Sequence, residues 1–267
     1  MLTVTIEALG LPLDAMIEPA PGGASGAAWR VRAADATYAL RLSGSREQTD
    51  GRLAAMAAAR DAGLPAPELI RRAVTAGGEA VLLSWLPGIT MLDALVRDPR
   101  RARDWARLAG VMQRRLHAIK APDAVVSVRD DDQRPFGAGR DVPDLPLGEA
   151  LLHLDWHPLN LLVDEAERAI TGIVDWDNAR RGHPSLDLAR TRAMLTFEPG
   201  LATLPAEART RLADFLAGWT DGYGPADVPM ASQRWAGRVM LADLAPRYAS
   251  TPRLLDPLRA WIASMEG

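Results

Sequence analysis

The apolar positions of this chain change rhythm about a third of the way along. Residues 28–33 alternate, with Trp29 and Val31 set against Arg30 and Arg32, the period-two pattern of a half-buried strand. A weaker β-like segment precedes them, and 37–42 reads as the next strand after a turn at Asp35-Ala36. Residues 80–85, AVLLSW, are continuously apolar, which suits a central strand covered on both faces; the segment 68–73 and a Gly77-Gly78 turn lead into it. A helix is predicted at 46–62, spaced around Leu53 and Met56 and stopped at Gly63 before Pro65.

Beyond Thr90 the period lengthens to that of helices. They are predicted at 91–97, 100–119, 186–196, 206–218 or beyond, 233–245 and 254–264, parted by Pro and Gly. The second of them carries Trp105, Leu108, Val111, Met112, Leu116 and Ile119 as its apolar stripe. Residues 121–148 mix charge with Pro and Gly and read as a loop. One β-like interruption remains: runs at 161–163 and 170–174 flank the charged Glu165-Ala166-Glu167-Arg168, the pattern of a hairpin.

Composition narrows the function classes. At 267 residues with 48% hydrophobic content the chain can bury a large core. A net charge of −3 gives no field for nucleic acid. No apolar run reaches a membrane span, and the start MLTVTIEALG lacks a signal-peptide pattern, so a cytoplasmic protein is expected. Cysteine is absent, which removes disulfides and thiolate chemistry. Lys120 is the only lysine among 31 basic residues, so any other cation that grips an anion must be arginine.

The hairpin is where polar residues gather. His153, Asp155 and Asn160 enter it; Asp175 and Asp177 leave it. The order is H-x-D-x-H-P-x-N, hairpin, I-V-D-W-D, then G-H-P-S-L-D-L-A. Phosphoryl transfer asks for such a set: a carboxylate against the acceptor hydroxyl, and oxygen ligands for magnesium on the nucleotide phosphates. Asp155 and Asn160 stand five apart, as in a kinase catalytic loop, and Asp175 follows the next strand. A rival reading takes His153, Asp155 and His157 as three zinc ligands on one face of a strand, giving a metal-dependent hydrolase.

Residues 153–160, 173–177 and 182–189 are similar to the aminoglycoside phosphotransferase and choline kinase-like family, and a looser likeness extends over nearly the whole chain. The resemblance implies an α+β, two-lobed protein-kinase-like fold. A small antiparallel-sheet lobe at 1–86 would bind nucleotide, and a larger, mainly helical lobe at 87–267 would hold catalysis and substrate. It implies ATP and Mg²⁺ as cofactors and transfer of the γ-phosphate to a hydroxyl of a small molecule. An aminoglycoside or related antibiotic is the first expectation; choline, a sugar or a ketosamine are the alternatives. A nucleotide-binding module without turnover is a third reading.

The resemblance also assigns residues. Asp155 orients the acceptor hydroxyl and takes its proton. Asn160 and Asp175, with Asp177 as a weaker candidate, hold magnesium. His153 and His157 support the loop, and Asp187 braces it. The glycine loop 21–26, by its residues alone a flexible hairpin, would cover ATP with Ser25 as its side-chain contact. Arg41 stands where the family usually has lysine and would reach the α and β phosphates, oriented by a carboxylate of the following helix, either Glu47 or Asp50. Ser84, Trp85 and Leu86 would present backbone groups to adenine. His117, beside an apolar stripe, is given no role in the site.

Overall fold

A computed structural model describes residues 2–20, 28–33, 36–43, 45–75, 78–131, 142–146 and 148–266. Helix α1 (Leu2–Ala8) is followed by strands β1 (Met16–Pro19), β2 (Ala28–Ala33) and β3 (Ala36–Ser43), helix α2 (Arg46–Asp61), and strands β4 (Leu69–Thr75) and β5 (Gly78–Ser84). The five strands make one antiparallel sheet in the order β1-β2-β3-β5-β4. The continuous apolar run of β5 has the cause expected of it. Ala80 and Leu82 turn to one face, where Ile6 and Leu9 cover them; Val81 and Leu83 join the cluster that holds Ala55, Met56 and Ala59 of α2.

Helix α1 is absent from the sequence reading. Its LTVTIEA sequence is rich in β-branched residues, which are indifferent helix formers, and burial of its end on the sheet outweighs that preference. Helix α2 matches its prediction and starts at a Ser45 cap, whose side chain accepts from the Gln48 N–H. Its Gly51 looks like a weakness in sequence, but a Cβ there would meet the Ala124 carbonyl at 3.0 Å, so the glycine lets the segment after the long helix pass close by.

The larger region begins with a two-residue strand β6 (Ile89–Thr90), then α3 (Met91–Arg97) and α4 (Ala102–His117). Strands β7 (Ala150–Leu152), β8 (Leu161–Asp164), β9 (Ala169–Ile173) and β10 (Arg180–Gly182) follow. They form a three-stranded β6-β8-β9 sheet and a β7-β10 pair. Helices α5 (Pro184–Phe197), α6 (Ala206–Thr210), α7 (Leu212–Tyr223), α8 (Met230–Arg247) and α9 (Asp256–Ala263) complete the chain. The helix expected from 206 onward breaks at Arg211.

The buried face of α4 differs from the expected stripe. Leu108 and Val111 are exposed, while Trp105, Ala106, Ala109, Gly110, Gln113, Leu116 and His117 are buried. The reason is the approach of α7. A Cβ on Gly110 would stand 2.2 Å from the Trp219 carbonyl, and one on Gly222 would stand 2.0 Å from the Arg107 carbonyl. Two helices this close need small side chains where they cross, so the bulky residues are not the ones that mark the contact. Trp219, Tyr223 and Trp235 are core residues.

Candidate active site

Strand β7 delivers the first site residues, and Asp187, on the first turn of α5, fixes the bend after it. The Asp187 Oδ2 accepts from the His153 N–H and its Oδ1 from the Leu154 N–H, both at 2.9 Å. Leu154 has φ of 59°, a left-handed conformation that a leucine holds only when its surroundings impose it. His117 Nε2 donates to the same carboxylate at 3.0 Å, and its Nδ1 meets the Tyr223 hydroxyl at 2.9 Å. Burial opposes ionisation of Asp187, yet the bond and attraction of His117 and the bond from the His153 N–H hold its carboxyl below the ordinary value. Burial and the nearby Asp187 charge push the Tyr223 hydroxyl up to about 12.

Sequence reasoning missed His117. A signal was present: Gln113 and His117 are one turn apart on a face otherwise apolar, and polar groups buried on such a face must find partners. Gln113 bonds Thr191 at 2.9 Å and accepts from the Trp219 indole at 2.7 Å.

His153 is fully buried between Trp156 and Trp176, with ring centroids 5.7 Å and 5.0 Å away. Its Nε2 donates to the Val174 carbonyl at 3.0 Å, which ties the incoming loop to the end of β9. Burial pushes its imidazole below the ordinary value, so the ring is neutral. This geometry overturns the zinc reading. His153 is committed to a backbone carbonyl inside the core, so H-x-D-x-H does not present three ligands on one face.

Asp155, His157 and Asn160 meet at the surface of this loop. His157 Nδ1 accepts the Leu159 N–H at 3.3 Å, which turns Nε2 to the other side as the ring's donor. That nitrogen lies 3.4 Å from Asp155 Oδ1. Burial works to raise the Asp155 carboxyl. The His157 bond and attraction, with the Arg190 cation, prevail and hold it well below the carboxylate range. Asn160 Nδ2 donates to the Asp155 carbonyl at 2.9 Å and to its Oδ2 at 3.0 Å. Both partners are acceptors, so the amide nitrogen must face them and its oxygen faces the other way. No described group donates to that oxygen.

Asp175 follows β9, also left-handed at φ of 59°. The Val174 N–H donates to the Asn160 carbonyl at 2.9 Å, so the two polar ends of the hairpin are stitched side by side. Asp175 Oδ1 accepts from Arg41 Nη1 at 3.1 Å, Asp177 Oδ2 accepts from Arg41 Nη2, and Asp177 Oδ1 accepts from Arg52 Nη1. The expected partners of Arg41 are therefore corrected. Neither Glu47 nor Asp50 pairs with it; Asp50 is bound by Arg72, which also holds Glu79. Helix α2 turns Arg52, an unforeseen residue, toward the strand cation where a carboxylate was expected.

The connection between the sheet and the larger region is anchored at both ends. Ser84 gives its N–H to the Glu68 carbonyl at 2.8 Å and accepts the Glu68 N–H on its hydroxyl at 2.9 Å, so its own backbone donor is already used. Trp85 lies beneath the Arg30 guanidinium at 4.9 Å. Leu86 is half-buried, and the Pro87 carbonyl accepts from Thr171 of β9 at 2.6 Å. Ser25 and the rest of the glycine loop lie outside the described residues, as do 132–141 of the long loop.

The sequence that makes this arrangement matches a known profile. Residues 16–142 and 128–231 fit the APH profile, the phosphotransferase enzyme family. The chain belongs to the phosphotransferase enzyme family. No curated protein matches it. Among solved structures, the type VIII aminoglycoside-3'-phosphotransferase aligns at 17% identity with a TM-score of 0.63, covering 90% of this chain and 97% of that one. A thermostable mutant of aminoglycoside phosphotransferase APH(4)-Ia, in ternary complex with ADP and hygromycin B, aligns at 17% identity and 0.62, over 99% and 98%. The choline kinase LicA from Streptococcus pneumoniae aligns at 12% and 0.61, over 98% of each chain. At these identities the likeness establishes the fold: the two-lobed, protein-kinase-like architecture of small-molecule phosphotransferases and kinases.

The donor set around the hairpin suits a hard cation in a member of this family. Asn160 turns an amide oxygen away from Asp155, and Asp175 has one oxygen outside its bond to Arg41. Magnesium typically takes one or two protein oxygens and fills its remaining positions with water and phosphate.

Proposed function

We propose that this chain transfers the γ-phosphate of ATP to a hydroxyl of a small molecule, an aminoglycoside or related antibiotic first among the acceptors. The observation that carries the reading is the Asp155 carboxylate: ionised, about a fifth exposed, and aimed by His157 and Asn160. An ionised carboxylate at the mouth of such a loop can accept a hydrogen bond from an incoming hydroxyl and align its oxygen for in-line attack. It then takes the proton late, once the bond to phosphorus is forming. A strongly acidic Asp155 is a weak base, so orientation is its larger contribution.

Asn160 and Asp175 would hold magnesium, which when bound offsets the negative charge of the phosphates. Arg41 would grip those phosphates with a permanent, planar cation. Trp85 and Leu86 would bound the adenine, with the small lobe, about 1–86, closing over it. Asp187, His153 and His117 carry no reacting group; they keep the Leu154 bend, and thus Asp155, in place.

The test is an acceptor screen. Purified protein with ATP and Mg²⁺ is offered aminoglycosides, choline, sugars and ketosamines, and products are read by mass for the gain of one phosphate. Phosphorylated aminoglycoside supports the first reading, and phosphate on another of these classes replaces it with a metabolite kinase. ATP binding with no transfer to any of them would favour the module without turnover.

A further inference from the structure

Asp177 is the second acid of D-W-D and a nominal metal ligand. Its surroundings assign it other work. Both of its carboxylate oxygens are taken by guanidinium groups, one from β3 and one from α2. The Arg41 and Arg52 side chains are only 12% and 10% exposed, against 45% for Asp177, so the anion comes to two cations already seated in the protein. Arg52 is steadied on its own helix by Thr49, whose hydroxyl stands 3.4 Å from Nη2. Across the cluster two arginines face two aspartates, Asp175 and Asp177.

Withdrawing Asp177 to a metal would leave Arg41 and Arg52 as neighbouring like charges with one partner between them. Like charges side by side in a partly buried site are costly. Asp175 carries no such conflict, because only one of its oxygens is bonded to arginine. The strand cation of a nucleotide site needs an anion to orient it, and in this chain α2 offers a second cation at that place.

The geometry points to Asp177 as an anionic bridge that orients Arg41 for the nucleotide phosphates, and to Arg52 as the positioning residue that fastens the bridge to α2. Asp175 is then the carboxylate left for the metal. With Asp175 given to the metal, Asp177 holds Arg41 through Nη2 alone, and a guanidinium held by one nitrogen still has N–H groups for phosphate, so the bridge and the nucleotide can share Arg41. The inference rests on the phosphotransferase reading of the site.

Calorimetric binding of ADP, with and without Mg²⁺, separates the two roles without use of activity. Asp177→Asn and Arg52→Gln are each expected to weaken metal-free ADP binding about ten-fold, the scale of a lost charged hydrogen bond. The gain on adding Mg²⁺ should stay at the wild-type ratio. Combining the two substitutions should add little, since both break one bridge, and Arg52→Lys should recover part of the loss. Asp175→Asn should do the reverse, keeping metal-free affinity and losing the Mg²⁺ gain. An Asp177→Asn protein that behaves like Asp175→Asn would make Asp177 a metal ligand and overturn the bridge. Arg52→Gln binding as wild type would remove Arg52 from it. If the wild-type protein binds no ADP at all, the phosphotransferase reading fails first, and this inference with it.

Discussion

Asp155 and Asp175 sit at the two ends of one short hairpin, and the protein holds them by different means. Around Asp155 the support is internal to the larger lobe: Asp187 and His153 are fully buried, Asp187 bonds the backbone N–H groups of the bend, and His153 ties the loop to the Val174 carbonyl at the end of β9. Around Asp175 the support comes from the other lobe. Asp175 and Asp177 are 41% and 45% exposed and are held by arginines of β3 and α2. A buried, fully bonded carboxylate is set once, by folding, because breaking its bonds strands charge where water cannot reach. Exposed ion pairs are weak and exchangeable. The first end therefore suits a group that must be aligned before substrate arrives. The second suits groups that, on the proposed function, would trade protein partners for phosphate and metal.

The sharpest way to break this contrast is to remove the chemistry and leave the packing. Asp155→Asn should lower kcat by about 10²–10⁴-fold, the usual span for a positioned acid or base, while ADP binding stays within about two-fold. Turnover near wild type would refute its role. Next comes the support. Asp187→Ala leaves three buried donors without their acceptor and should cost about 3–5 kcal/mol in urea unfolding, whereas Asp175→Ala should cost about 0–1 kcal/mol. Equal costs would erase the distinction between the two ends.

Arg41→Ala should raise the KM for ATP about ten-fold with a smaller change in kcat, as expected for loss of a charged hydrogen bond to phosphate; an unchanged KM would mean another group grips the nucleotide. The smallest effect is the pH dependence of stability. His153 is depressed below its ordinary 6.5, so below that pH the unfolded chain binds a proton the native one refuses, and the melting temperature should fall. Asp155 and Asp187 are depressed below 3.8, so their stabilisation is present above that pH and drains away as the pH drops under it. His153→Asn should flatten the upper of the two declines in a melting series from pH 8 to 2; a decline unchanged in that variant would place its origin elsewhere.

Which parts of this were readable in advance follows from the range of the forces. The hairpin, the alternation of 28–33 and the helix at Arg46 are local: period, turn chemistry and caps act over a few residues and leave their mark in order. The spacing of Asp155, Asn160 and Asp175 is local in the same sense, since one hairpin joins them. The face of α4 is less so, because small residues mark a close crossing only once α7 is known to lie against it.

The partner of Arg41 was not readable. It is 134 positions away, and two nearer acids, Glu47 and Asp50, offered the same chemistry. Nor could His117 be placed, whose meaning lies in an aspartate 70 residues on. The sequence by itself determined most of the elements, the family and the candidate chemistry, because these are written in short-range order. Only the tertiary structure decided which charge meets which. An ion pair depends on distance in space, and a lobe that folds back across the chain brings together residues whose numbers say nothing of their nearness.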